Sequence, residues 1–181
     1  MLNQIPGYDA ALSSERKDRA KAFLGIGDEM GGIRVEDFTP LRWEWLRALG
    51  NPFVCGGELD EASIWQFVFC VHRDFTFAEY GPKLKAFIES HAPWDFDLCR
   101  VDIDEYLDRA FLDAPSGTRC KPFVSVSASL GYEMAGEPFR WDVDRSLRSP
   151  IAKMYQLIKA RDRARGEVVT NSRSDRVVAD W

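Results

Sequence analysis

Within Ile64-Trp-Gln-Phe-Val-Phe-Cys-Val71 only Gln66 is polar, and this run constrains the fold more than any other stretch. Ile64, Phe67, Val68 and Val71 share one helical face, while Trp65, Phe69 and Cys70 fall on others. A helix here is therefore apolar nearly all round and has to be central. Asp60 stands where a cap would open such a helix, which runs to about Arg73. A buried strand within Ile64–Val71 is the competing reading, because periodicity does not separate the two in short apolar runs. In either case the rest of the chain must wrap it.

The wrapping is legible as a series of punctuated helices. Ser13 opens a charged helix over Ser14–Leu24, stopped by Gly25. Residues 25–38 hold four glycines and no sustained period, which predicts a connection with one short strand. Thr39-Pro40 starts a helix with Leu41, Trp45, Ala48 and Leu49 on one face, and Gly50-Asn51-Pro52 ends it. Phe53–Gly57 reads as an apolar loop. Gly81-Pro82 restarts a helix with Leu84, Phe87 and Ile88 inward, ending near Ala92-Pro93. Val101–Asp113 has the clearest period, with Ile103, Tyr106, Leu107, Ala110 and Phe111 on one face. After Pro122, Val124–Leu130 alternates as a strand does, yet Phe123, Val126, Leu130 and Met134 fit a helical face, and helix is preferred. Trp141–Ser149 reads as a short acidic turn. Ser149 as cap and Pro150 as first helical residue then open a long basic helix, with Ile151, Met154, Tyr155 and Ile158 on one face.

This pattern predicts a mainly α fold: a compact helical domain of six to seven helices over residues 1–165, with minor strands possible. A flexible C-terminal tail over 166–181 follows, where the helical period is lost. At 181 residues with 45% hydrophobic content, one domain has a sufficient core. The net charge of −5 argues against generic nucleic-acid binding, which needs clustered Lys and Arg. Arg145, Arg148, Arg161, Arg163 and Arg165 make the only basic stretch, read as a solvated face given Asp144 and Asp162. No apolar run is long enough to cross a membrane, and the N-terminus lacks the blocks of a signal peptide, so the expectation is a soluble intracellular protein.

Catalytic and metal chemistry find little to work with in this pattern. Cys55, Cys70, Cys99 and Cys120 are irregularly spaced and form no Cys-x-x-Cys, so reduced and mostly buried thiols are expected, with no metal and no cofactor. Cys70 and His72, two apart, point in different directions on a helix. The acidic run Asp95, Asp97, Asp102, Asp104, Glu105, Asp108 lacks the turn glycine and closing glutamate of a calcium loop. Glu58 and Asp60 suit a helix start better than acid–base work, and the glycines at 25, 27, 31 and 32 lack a phosphate loop's ending. His72 and His91 lie in no recognised motif, although an enzyme using them with nearby carboxylates remains an alternative. No catalytic residue is assigned. The candidate partner-binding residues are Trp43 and Phe53, as exposed anchors, and Val177, Val178 and Trp181, as a short motif that orders on a partner.

Two segments read together carry a resemblance. Thr39-Pro-Leu-Arg-Trp-Glu-Trp-Leu-Arg-Ala-Leu-Gly-Asn-Pro-Phe-Val-Cys-Gly-Gly-Glu58 leads to the apolar Ile64–Val71, and Trp141-Asp-Val-Asp-Arg-Ser-Leu-Arg-Ser-Pro150 runs on to Tyr155. Together they resemble the small helical proteins of tailed-bacteriophage tail operons, often described as tail assembly chaperones. The resemblance spans residues 38 to 165 in order and character. Pro52, Gly57, Trp141 and Pro150 sit at comparable punctuation points, whereas Trp43 and Trp45 do not match position by position. It implies a non-enzymatic protein that keeps a tail component, such as the tape-measure protein, soluble in the cytoplasm of an infected or lysogenic host until the tube assembles. A structural head–tail connector or tail-completion protein of the virion is the alternative within that setting.

Overall fold

The computed structural model describes residues 28–92, 94–112, 114 and 125–166, and within them the Ile64–Val71 run is a helix. The element order begins with β1 (Glu29–Met30) and β2 (Ile33–Arg34), followed by α1 (Pro40–Ala48), α2 (Pro52–Cys55) and α3 (Glu61–Val71). After a 3-10 turn at Phe77–Glu79 come α4 (Tyr80–His91), α5 (Phe96–Ala110), α6 (Val126–Ala135), α7 (Val143–Arg148) and α8 (Ile151–Ala164). The fold is mainly helical.

Local chemistry at Asp60 settles the helix-or-strand question for α3. Its carboxylate accepts from Ser63 N at 2.7 Å, and Ser63 Oγ accepts in return from Asp60 N at 3.0 Å. This reciprocal cap satisfies two free N–H groups and commits the following residues to a helix. Every residue of α3 from Ser63 to Val71 except Gln66 is buried. Gln66 is taken up differently: Asn51 Nδ2 donates to its Oε1 at 2.7 Å and to Ser63 O at 2.8 Å.

Asn51 also corrects the expected loop at Phe53–Gly57. Its Oδ1 accepts from Phe53 N at 3.1 Å, and Pro52 follows at the first helical position, so a single-turn helix forms as α2. A parallel correction applies to the turn at Trp141–Ser149. Asp142 accepts from Arg145 N at 2.7 Å, which makes Val143–Arg148 a short helix. With these two elements, eight helices lie among the described residues. The expected Ser14–Leu24 helix lies outside the described residues, as do Phe123 and Val124, while Val126–Ala135 is helical with Ser125 as its cap.

Between the elements runs an extended strap, Val35–Phe38, whose backbone is satisfied from all sides. Glu36 N donates to Val71 O at 2.9 Å and Ile151 N donates to Phe38 O at 2.8 Å. Tyr106 Oη donates to Glu36 O at 2.6 Å. Arg42 Nη1 donates to Val71 O at 2.6 Å and to Asp37 O at 3.3 Å. Buried peptide groups outside regular structure need such partners, and here they come from α1, α3, α5 and α8. The Phe38 ring meets Trp43, Phe67, Tyr106 and Phe111 at centroid separations of 6.1, 6.0, 5.7 and 6.2 Å.

Two further boundaries differ from expectation for physical reasons. Helix α5 begins five residues before Val101, because Asp95 accepts from Leu98 N at 3.0 Å and supplies the start. Ser149 does not cap α8; its Oγ donates to Arg145 O at the end of α7, and the first α8 amide is satisfied by Phe38 O instead. The single expected strand is an antiparallel pair, with Met30 opposite Ile33. Its turn admits only glycine at position 31, where φ is +54° and a Cβ would lie 1.6 Å from Trp94 Nε1.

Candidate functional site

The structure brings together the two histidines that the sequence left apart. His72 closes α3 and His91 closes α4, with the Phe87 ring between them at 5.2 and 4.4 Å and the two imidazole centroids 6.5 Å apart. Each Nδ1 is engaged locally. His72 Nδ1 accepts from Asp74 N at 3.3 Å. His91 Nδ1 lies 2.8 Å from Phe87 O and 2.9 Å from Ser90 Oγ. Burial pushes the His72 pKa below its ordinary value, against the opposing pull of Asp74. The pair is a packed aromatic joint between α3 and α4.

Burial disarms two of the thiols, while Cys120 lies outside the described residues. Cys70 and Cys99 are buried, and desolvation pushes both up to about 12, which keeps them protonated at neutral pH. Cys55 is exposed. Among the described residues no group of three His, Cys, Asp or Glu side chains is placed to hold a metal ion. The carboxylates of the acidic run divide by role: Asp95 caps α5, Asp102 accepts from Gly31 N at 2.8 Å, and Asp97, Asp104 and Asp108 stand in solvent. Asp60 caps α3, where the Ser63 N–H holds its carboxyl below the usual range.

The basic face is largely tied to the protein. Arg145 stacks over Trp141 at 4.2 Å, Arg148 pairs with Asp144 at 2.8 Å, and Arg161 bridges Glu133 and Asp162 at 2.8 and 2.7 Å. No described helix is long and apolar enough to cross a membrane.

Of the anticipated partner-binding residues, Trp43 is half-buried, edge-on to Phe38 and Phe111. Phe53 is half-buried with its ring 5.2 Å from that of Phe67. Val177, Val178 and Trp181 lie outside the described residues. Among the described residues the large apolar side chains most open to solvent are others: Leu98 and Val101 on α5, at 53% and 54% exposure, Tyr132 on α6 and Val143 on α7. Sequence reasoning missed Leu98 because it started the helix at Val101, and it passed over Val101 because that residue lies off the apolar face. The signal was Asp95, three residues before Leu98, whose capping extends the helix and turns Cys99, Ile103, Tyr106 and Ala110 inward.

No protein-family model matches the chain, and no solved structure matches it. A curated protein, beta-glucosidase 19 of Arabidopsis thaliana, is 31% identical over 107 residues, or 57% of this chain. The chain spans 18% of that protein's length, and a likeness of this extent carries no activity across.

Proposed function

We propose that this chain is a non-enzymatic assembly protein of the phage-tail kind, a chaperone that binds a tail component such as the tape-measure protein. One observation supports the reading above the rest. The two segments that carry the resemblance, well separated in sequence, are neighbours in space: α1 packs against α3 and α7, and Ile151 N bonds to Phe38 O. A shared order of punctuated helices thus corresponds to one packed unit rather than to two unrelated stretches. Exposed apolar side chains on α5, α6 and α7 suit a binding role.

Affinity capture with the tagged full chain from the cells that encode it tests the proposal. Enrichment of a tail structural protein, identified by mass spectrometry, is the expected result; a set of partners without any phage structural protein would overturn it. Purified particles separate the chaperone from a virion component, since a chaperone is absent from the finished particle and a connector is present.

A further inference from the structure

The outward face of α5 carries more information about a partner than any other surface described. Its inward face is committed, with Cys99, Ile103 and Tyr106 in the core, and along one flank Asp102 holds Gly31 N and Arg109 pairs with Asp28 at 3.0 Å. Toward solvent Leu98 and Val101 stand one helical turn apart, each more than half exposed. Glu105 and Asp108 continue that stripe and Asp97 and Asp104 border it, all exposed, with Arg100 an exposed cation beside them. Asp97, Asp104 and Asp108 form no ion pair among the described residues, and Glu105 reaches Arg109 only at 3.8 Å.

From this arrangement we infer that the Leu98–Val101 stripe of α5 docks a basic amphipathic helix. Two apolar side chains at i and i+3 match the i, i+3, i+4 anchors of a partner helix. The carboxylates on the stripe select Lys or Arg flanking those anchors and speed the encounter. The same carboxylates repel phosphate, so neither a nucleic acid nor an anionic lipid surface fits here. The inference rests on the assembly-protein reading, whose client it describes chemically: a helix with Leu or Ile on one face and Lys or Arg on its borders.

The test uses the full chain and a labelled synthetic helical peptide with Leu on one face and Lys on the flanks, read by fluorescence anisotropy. A scrambled peptide of the same composition serves as control. Binding of the amphipathic peptide is expected, weaker by about tenfold in L98S/V101S and by a similar factor in D104N/E105Q/D108N, with most of the salt dependence lost in the latter. These positions are exposed, so unchanged thermal midpoints will show that the variants remain folded. Equal binding of the scrambled peptide, or undiminished binding by L98S/V101S, overturns the inference. Capture of a tail protein with a negative peptide result places the client on another surface and leaves the proposed function standing. A positive peptide result without a tail protein in the capture does the reverse.

Discussion

Helices α3 and α5 lie against one another and use their apolar residues in opposite ways. Nearly every apolar side chain of α3 is consumed by the core, on all sides of the helix, so α3 has nothing left for recognition. Helix α5 is cleanly amphipathic, yet it leaves Leu98 and Val101 in water while burying Ile103 and Tyr106. Hydrophobicity alone would direct attention to α3. The difference teaches that binding capacity sits where apolar residues exceed what the core requires.

Substitutions in the two helices should separate stability from recognition. The largest effect is expected for Phe67→Ala in α3, since Phe67 is fully buried against Phe38, Phe53 and Tyr106. A loss of about 3–5 kcal/mol in urea denaturation is the expectation, and a loss below 1 kcal/mol would mean that α3 is not the centre of the core. Next comes Asn51→Ala, which removes the α2 cap and both donations to α3; about 2 kcal/mol is expected from the same measurement. Tyr106→Phe, on the inward face of α5, strips the Glu36 carbonyl of its donor and should cost about 1–2 kcal/mol.

A smaller effect is expected from pH. Burial lowers the His72 pKa in the folded chain below the ordinary 6.5, so as pH falls the unfolded chain takes up the proton first. The stability associated with neutral His72 is complete above the unfolded value and is lost as pH falls through the folded one. The denaturation midpoint should therefore drop on acidification through that window, and His72→Gln should flatten part of the drop. An unchanged slope in that variant would remove the α3–α4 joint from the account. The smallest effect belongs to L98S/V101S, expected within about 0.5 kcal/mol of the parent. A larger destabilisation would show that the α5 stripe belongs to the core after all, and the contrast with α3 would collapse.

Several elements were legible from local residues. Thr39-Pro40 opens α1, Asp60 opens α3, Gly50 closes α1 with φ of +68°, and the Ile151 and Met154 face of α8 is buried. Each depends on neighbours within about one turn, which is why pattern alone reached it. The Leu98–Val101 stripe was half legible, since Asp95 signalled an earlier start, but exposure depends on what covers a face. The strap was not legible at all. Glu36, Asp37 and Phe38 carry no period, and their partners Val71, Tyr106, Arg42 and Ile151 are scattered through the chain.

The order of residues alone determined where α1 and α3 begin and which side chains are apolar, because caps, prolines and glycines act through bonds a few residues long. It did not reveal α2 and α7, which are four and six residues long, nor how α8 starts. There the expected Ser149 cap gives way to Phe38 O, more than a hundred residues earlier in the chain. Only the tertiary structure brought His72 to His91, closed the strap's hydrogen bonds and left the α5 stripe in solvent. These outcomes depend on which surfaces meet, and that is settled by the simultaneous burial of apolar area and satisfaction of buried peptide groups across the whole molecule.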